Sequence, residues 1–314
     1  MNKPLIEAIN VSKTFGKVTA LDKVSIEVAQ GSVMGLLGHN GAGKTTLVNV
    51  LTTMLPPTSG TARVAGFDVT KDGHQIRSRI GLTGQFAAVD EELSGRDNLV
   101  LIARLLGATK AQARTRADEL LAIFDLTEAA KRLAKTYSGG MRRRLDLSAS
   151  LVGHPDVIFL DEPTTGLDPA SRVGMWQIVE SLVQDGTTVL LTTQYLDEAD
   201  RLADSITVLA GGKVVAAGTA AQLKSQVGQR SVTATLVDNS ESGRAVDVLR
   251  QAGLEPAYDP SRKTITSPVT ASAQLTTVVR ALDDASIEVA ELALGEPTLD
   301  DVYLALAHST ATAA

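Results

Sequence analysis

The chain has 314 residues, a length that predicts about two domains. It contains no cysteine, which excludes disulfides, thiolate metal sites and cysteine nucleophiles. Its 36 acidic and 30 basic residues give a net charge of -6, which argues against general binding to nucleic-acid phosphates. We expect no signal peptide and no membrane-spanning segment, because the most apolar stretch, residues 99–108, is interrupted by Arg104 and too short to cross a bilayer.

Residues 5–11 and 24–28 alternate apolar and polar side chains, a pattern that predicts two antiparallel strands. Three continuous apolar runs predict strands buried on both faces, as in α/β sheets. These runs are residues 32–37, 157–160 and 188–191. A helical pattern follows the first of them at residues 44–53.

Residues 91–152 are mostly helical in pattern, with apolar side chains at the spacing of a helix face that packs on the core. These side chains are Leu99, Ile102, Ala103, Leu105 and Leu106. The first part of the chain is therefore predicted to be an α/β core with an antiparallel β subdomain and a helical subdomain at about residues 86–152.

After Gly218 the pattern changes to strand, helix, strand, strand, helix, strand, which is the order of the split βαβ motif. This predicts a small α+β module, and we place the domain boundary so that the domains are residues 1–225 and 226–314. Thr298 and Asp301 resemble a capping box that opens a final helix through Ala307. We expect the module to have an accessory or regulatory role, with simple packing or dimer contact as the alternative.

The segment from Gly38 to Thr46 matches G-x-x-x-x-G-K-[ST] between a buried strand and a helix, the context of a phosphate-binding loop. Backbone N–H groups of such a loop converge on phosphate oxygens, and the helix N-terminus adds partial positive charge. We expect Lys44 to reach the β- and γ-phosphates and the Thr45 hydroxyl to bind Mg²⁺. The candidate nucleotide-binding residues are Gly38, Asn40, Gly41, Ala42, Gly43, Lys44, Thr45 and Thr46.

An acidic pair follows the buried strand predicted at residues 157–160. Asp161 is placed to hold Mg²⁺, and Glu162 is placed to polarise an attacking water. Two acids after a strand also fit a simple cap of the strand end. The phosphate-binding loop makes that interpretation the weaker one.

Between these two motifs lies the stretch Y-S-G-G-M-R-R-R-L, residues 137–145, in which Ser138, Gly139 and Gly140 open a helix. A helix N-terminus of this kind is another anion site. The three motifs in this order closely resemble those of the ABC-type ATPases, and the resemblance covers residues 5 to about 220. It implies a P-loop ATPase core.

The resemblance implies ATP and Mg²⁺ as cofactors and adds further site residues. Gln85 matches the glutamine that completes the Mg²⁺ and water environment, and Phe15 matches the aromatic side chain that stacks on adenine. In the family, the segment equivalent to Ser138, Gly139 and Gly140 faces the γ-phosphate held by a second copy of the subunit. Two ATP molecules would therefore be sandwiched in a dimer.

Four longer stretches are similar to the ATP-binding subunits of exporters of the daunorubicin/doxorubicin resistance type. They are residues 83–90, 138–146, 192–200 and 295–303. This narrower resemblance implies that ATP hydrolysis powers export of a drug-like or lipophilic compound through a separate integral membrane permease. The subunit would then lie at the cytoplasmic face of the cell membrane as a peripheral protein.

Gln194 stands where many members of the superfamily carry a histidine before an Asp-Glu-Ala run. A glutamine amide can donate a hydrogen bond to a γ-phosphate oxygen, but it cannot gain a proton between pH 5 and 8. We therefore assign Gln194 a catalytic positioning role beside Glu162. The alternative is that Gln194 only ends its strand.

The main alternative function is a soluble ABC-type ATPase that acts in translation or DNA repair. Translation factors of the superfamily normally carry two ATPase units in one chain, whereas this chain has one set of motifs. Repair members insert a long coiled coil, but no sustained heptads separate Gly38 from Ser138. Arg142, Arg143 and Arg144 are interpreted as a solvated or interfacial helix face, so no nucleic-acid partner is expected.

Overall fold

The computed structural model describes residues 4–84, 89–227, 230–260, 263–269, 273–295 and 297–302. The chain divides into two compact units, Met1–Ala220 and Ala221–Ala314. Among the described residues, no helix combines the length and the apolar character needed to cross a membrane.

Ten strands lie in the first unit. They are β1 Pro4–Phe15, β2 Val18–Ala29, β3 Val33–Leu37, β4 Ser59–Val64, β5 Phe67–Asp68, β6 Ile80–Thr83, β7 Val157–Asp161, β8 Thr188–Thr193, β9 Ser205–Ala210 and β10 Lys213–Gly218. Among the described residues, seven α-helices accompany them, and an eighth begins at Ala220, the last residue of the first unit. They are α1 Lys44–Leu51, α2 Gly73–Arg77, α3 Gly95–Leu105, α4 Lys110–Ile123, α5 Gly139–Ser150, α6 Pro169–Gln184, α7 Leu196–Leu202 and α8 Ala220–Val227.

The first sheet is antiparallel and has the strand order β2-β1-β4-β5. The predicted antiparallel pair at the N-terminus is confirmed: Ile6 lies opposite Val28, and Ala8 lies opposite Ile26. All four side chains are buried. Alternation along the strands thus places the apolar side chains on the face that packs against the core.

The second sheet has the order β10-β9-β3-β8-β7-β6, and its neighbours are parallel except for β10 beside β9. Every residue of β3, β7 and β8 is buried, which confirms the three predicted buried strands. Because parallel strands end at one edge of a sheet, the segments that follow β3, β7 and β8 are brought together.

The predicted helical subdomain contains α3, α4 and α5. Leu99 and Ala103 are buried in its core, and Ile102 packs against them. The prediction that Leu105 and Leu106 also belong to the core is wrong, because these side chains are 77% and 59% exposed. α3 ends at Leu105, so the buried stripe that includes Leu99 and Ala103 has no further helical turn on which to continue.

The second unit contains β11 Ser231–Leu236, α9 Ser242–Gln251, β12 Ala257–Asp259, β13 Thr264–Pro268, α10 Ala273–Asp284 and β14 Val289–Gly295. The predicted βαββαβ order is confirmed. The sheet order is β12-β13-β11-β14, and all three neighbouring pairs are antiparallel. Each helix therefore connects two strands that have a third strand between them, as in a split βαβ motif.

The capping box predicted at Thr298 is present. The Thr298 amide donates to the Asp301 carboxylate at 2.8 Å, and the Asp301 amide donates to the Thr298 hydroxyl at 3.2 Å. The predicted end of this helix at Ala307 lies outside the described residues.

Candidate active site

The loop from Gly38 to Gly43 connects β3 to α1 and can be built only with glycine at two positions. Gly43 has φ of 110°, and a side chain there would meet the Ala20 carbonyl oxygen at 2.7 Å. A side chain at Gly38 would meet the Leu209 carbonyl oxygen at 2.6 Å. No side chain in the described part of the chain caps the N-terminus of α1, which leaves its first N–H groups for an anion.

Lys44 begins α1 and is only 6% exposed. Its ammonium group folds back over the loop, donating to the carbonyl oxygens of Gly38 at 2.6 Å and His39 at 3.4 Å. Burial lowers the pKa of Lys44, while the nearby charges of Glu162 and Asp161 act in the opposite direction. The cation therefore lies within the field of both acidic residues at the end of β7.

Asp161 ends β7, is buried, and accepts a hydrogen bond from the hydroxyl of Thr192 on β8. The next residue, Glu162, has a left-handed backbone with φ of 49°. Its N–H donates to the Thr192 carbonyl oxygen at 3.0 Å, and its carboxylate accepts from the Thr165 hydroxyl at 3.3 Å. The acidic pair is thus fixed by the adjacent parallel strand.

A cavity of about 150 Å³ joins the two motifs. It is lined by Ala20, His39, Asn40, Gly41, Gly43, Lys44, Thr45, Thr46 and Glu162. The structure therefore places most of the predicted loop residues and the predicted general base around one space. Gly38 and Ala42 are buried parts of the same loop.

The segment Ser138, Gly139 and Gly140 lies at the N-terminus of α5, where the Ser138 hydroxyl accepts from the Met141 amide at 3.3 Å. None of these three is among the described residues that line the loop cavity. Gly139 instead lines a separate cavity of about 440 Å³ together with Asp161, Glu162 and Thr165. The α5 N-terminus therefore does not line the loop cavity of its own chain.

Three other predicted site residues have different outcomes. Phe15 ends β1 at the tight turn to β2, is half exposed, and has the Lys13 ammonium 5.1 Å from its ring centroid. Gln194 directly follows β8 and is exposed at the same sheet edge as Asp161 and Glu162. Gln85 lies outside the described residues.

The interpretation of Arg142, Arg143 and Arg144 as a solvated or interfacial helix face is wrong for Arg143, whose guanidinium binds backbone carbonyl groups of its own chain. Arg142 forms an ion pair with Glu91, and Arg144 forms one with Asp125. Both arginine side chains are partly exposed. Arg143 turns inward instead, because the phase of α5 directs this position toward the ends of β6 and β7. The signal that could have indicated this is Asp146, an acidic residue one turn later between Leu145 and Leu147.

Sequence reasoning also missed a buried acid on α7. Glu198 is fully buried and accepts a hydrogen bond from the Trp176 indole N–H at 3.1 Å. Burial raises the pKa of Glu198, while the hydrogen bond from Trp176 and the nearby charge of Arg172 oppose this shift. The indole N–H of Trp176 on α6 therefore holds a side chain of the segment that follows Gln194.

The phosphate-binding loop, the α5 N-terminus, the acidic pair and Gln194 follow one another along the chain in the order of an ABC-type ATPase. The sequence profile of the ABC transporter family matches residues 21–165. The chain is 52% identical over 295 residues to the daunorubicin resistance ATP-binding protein DrrA3 of Streptomyces coeruleorubidus, covering 94% of this chain and 93% of the relative. It therefore belongs to the family of daunorubicin and doxorubicin resistance ATP-binding proteins, as the sequence motifs predicted.

Two further comparisons agree. The daunorubicin/doxorubicin resistance ATP-binding protein DrrA of Streptomyces peucetius is 47% identical over 302 residues, which cover 96% of this chain and 92% of that protein. A solved ATP-binding subunit of an ABC transporter superposes with a TM-score of 0.64 at 26% identity, over 71% of this chain and 92% of that structure. The protein is an ATP-binding ABC-type ATPase, and the predicted α/β fold class is confirmed.

Proposed function

We propose that the protein is the ATP-hydrolysing subunit of a drug exporter and powers transport through a separate membrane permease. The names of its relatives support this function over a role in translation or DNA repair. The observation that carries the hydrolytic part is the single cavity where Lys44 and Thr45 meet Glu162. This arrangement brings a phosphate-binding group and a candidate base to the same space.

In this proposal the loop residues 38–46 hold the phosphates, and Phe15 stacks on the adenine. Lys44 can leave its carbonyl partners to reach the β- and γ-phosphates, since those partners belong to the loop itself. Phe15 suits the role because its ring lies half exposed on the hairpin whose Ala20 lines the cavity.

The residues at the cavity also suit Mg²⁺, which prefers hydroxyl, carboxylate and phosphate oxygens. Thr45 offers an exposed hydroxyl, and Asp161 offers a carboxylate oriented by Thr192. We assign the metal to Thr45, Asp161 and Gln85. When bound, Mg²⁺ would neutralise charge on the phosphates.

Glu162 would accept the proton of the attacking water, and Gln194 would hold the γ-phosphate by a neutral hydrogen bond. The left-handed backbone of Glu162 directs its carboxylate away from the strand and into the cavity. Gln194 is exposed directly after β8, at the sheet edge that also holds Asp161 and Glu162, and this position supports its assignment.

A second copy of the subunit would complete each site. The segment Ser138, Gly139 and Gly140 opens α5 but does not line the loop cavity of its own chain. Its N–H groups are therefore available to a γ-phosphate held by a partner in a head-to-tail dimer.

The helical subdomain would dock on the permease and so bring the protein to the cytoplasmic face of the membrane. It carries a groove of about 770 Å³ between α4, the end of α3 and the segment after α5. Leu105 and Leu106 are exposed where α3 ends, and Leu106 lines this groove. Residues 226–314 would have an accessory or regulatory role.

The hydrolytic proposal is tested by Glu162→Gln. Loss of a positioned base should slow turnover about 10²- to 10⁴-fold while ATP still binds. Light scattering should then detect an ATP-dependent dimer. Glu128→Gln, at an exposed position on the same unit, is the matched control and should hydrolyse ATP like the parent. A Glu162→Gln protein with the parental rate would place the base elsewhere.

The transport proposal is tested in cells that express the subunit with its permease. Accumulation of daunorubicin should fall with the parent subunit, remain high with Glu162→Gln, and fall again with Glu128→Gln. Equal accumulation in all three strains would contradict drug export.

A further inference from the structure

Arg143 binds the backbone at the catalytic edge of the sheet through one guanidinium group. Its Nε donates to the Pro163 carbonyl oxygen at 2.8 Å, and its Nη1 donates to the Gly84 carbonyl oxygen at 3.1 Å. Its Nη2 donates to the carbonyl oxygens of Asp161 and Glu162, each at 3.0 Å. Four carbonyl groups from the ends of β6 and β7 therefore converge on one side chain of α5.

The Arg143 side chain is 17% exposed, so these contacts are largely shielded from water. Burial lowers the pKa of Arg143, and the carboxylate of Asp146, 3.5 Å from Nη1, acts in the opposite direction. A guanidinium stays charged under such conditions and presents its donors in a rigid plane. A lysine ammonium has three donors around one point and cannot reproduce this geometry.

The contacts lie on both sides of the strained residue. Glu162 has φ of 49°, a strained conformation for a non-glycine residue that persists only where the surrounding structure holds it. Arg143 fixes the peptide before Glu162 through the Asp161 carbonyl and the peptide after it through the Glu162 carbonyl. The Glu162 N–H is held separately by Thr192.

We propose that Arg143 is a positioning residue, which holds the backbone of residues 161–163 so that the Glu162 carboxylate faces the phosphate-binding loop. This inference rests on the proposed function, because it requires Glu162 to be the general base. Arg143 is absent from the lining of the loop cavity among the described residues, so its effect acts through Glu162.

The test compares Arg143→Met and Arg143→Lys with Arg144→Met, a control at the adjacent arginine, whose partner Asp125 is exposed. The kcat for ATP hydrolysis should fall about 10- to 100-fold in Arg143→Met, as expected for a displaced catalytic group, and less in Arg143→Lys. The Kd for ATP should stay within about threefold of the parent, because phosphate binding does not use this residue. Arg144→Met should match the parent in both quantities.

A double variant separates positioning from general damage. In a Glu162→Gln background, Arg143→Met should cause no further loss of the residual rate, since two residues that act as one unit are not additive. The double variant should also keep the ATP-dependent dimer. Loss of that dimer would place the effect at the α5 N-terminus instead and overturn the inference.

Parental kcat in folded Arg143→Met would also overturn it, as would a loss of kcat matched by an equal loss of ATP affinity. Circular dichroism checks the fold, and Arg143→Lys provides the same comparison if the methionine variant does not fold. A folded lysine variant with parental kcat would then contradict the inference. Full activity of Glu162→Gln would instead reject the proposed function, so the two failures are distinguishable.

Discussion

The two units of the chain differ in where their strands end. In the first unit, β3, β7 and β8 are parallel neighbours and finish at one edge of the sheet. In the second unit, neighbouring strands are antiparallel, so their ends alternate between opposite edges. Polar segments that follow strands can therefore meet in the first unit, whereas the same segments are kept apart in the second.

The consequence is visible in the residues after each strand. Gly38 to Thr46, Asp161 with Glu162, and Gln194 are distant in sequence and come to one edge of the first unit. In the second unit, β11 and β13 are antiparallel, so their carboxyl ends lie at opposite edges of the sheet. The comparison predicts that substitutions at the shared edge affect nucleotide chemistry and that removal of the second unit does not.

The largest effect is expected at Lys44. Lys44→Ala removes a cation that lines the loop cavity with Glu162 and lies within the field of Asp161. Removal of one such electrostatic contact should reduce ATP turnover about 10²- to 10³-fold and weaken ATP binding. Calorimetric titration with ATP and a steady-state ATPase assay measure the two effects. Lys131→Ala, at an exposed position, is the control. Parental activity in folded Lys44→Ala would contradict the role of the shared sheet edge in nucleotide chemistry.

A smaller effect is expected at Gln194. A neutral hydrogen bond is worth about 0.5–1.5 kcal/mol, so Gln194→Ala should lower kcat by about tenfold or less. The Kd for ATP should change less than kcat, because the loop supplies most phosphate contacts. Gln194→His should be tolerated, since an imidazole can also donate to a phosphate oxygen. If Gln194→Ala hydrolyses ATP at the parental rate, Gln194 only ends its strand.

The raised pKa of Glu198 predicts how the stability of the first unit depends on pH. The raised pKa means that the folded protein binds this proton more tightly than the unfolded chain. Stability therefore falls as pH rises from the ordinary carboxyl value of 4.5 toward the folded value, and it stays lower above that value. Glu198→Gln has no proton to lose in this range and keeps an oxygen for Trp176. The melting temperature of Glu198→Gln relative to that of the parent should therefore rise across the same pH interval.

Thermal unfolding at several pH values measures the difference, and each kcal/mol corresponds to about 2–4 °C for units of this size. Glu288→Gln, at an exposed position of the second unit, is the control and should leave the melting temperature unchanged. A constant difference between Glu198→Gln and the parent at every pH would show that Glu198 does not titrate in this way.

The phosphate site could be predicted from sequence because its parts are local: a loop of consecutive residues and an acidic pair after a buried strand. Arg143 and Glu198 could not, because their partners are remote in sequence. Arg143 meets Gly84 across 59 positions, and Trp176 meets Glu198 across 22. Their roles depend on helix phase and on packing between elements, which a single sequence does not specify.

Helix ends limited the prediction in a similar way. The apolar spacing of α3 continues past Ala103, but the helix stops at Leu105, and the last leucines are exposed. Periodicity indicates which face is apolar and does not indicate how far a partner surface extends along it. The order of strands and helices in the second unit was predicted more completely, since it follows from local alternation and helical periodicity.

The smallest effect is expected from removing the sheet of the second unit. A chain that ends after Val227 keeps α8, whose Leu223 is fully buried, and lacks the sheet of β11 to β14. Its Kd for ATP should stay within about threefold of the full-length value, because every residue assigned to the nucleotide precedes residue 195. Calorimetric titration of both proteins with ATP measures this. A folded truncation that binds no ATP would show that the antiparallel unit contributes to the site, and the contrast between the two sheets would then not explain where the chemistry lies.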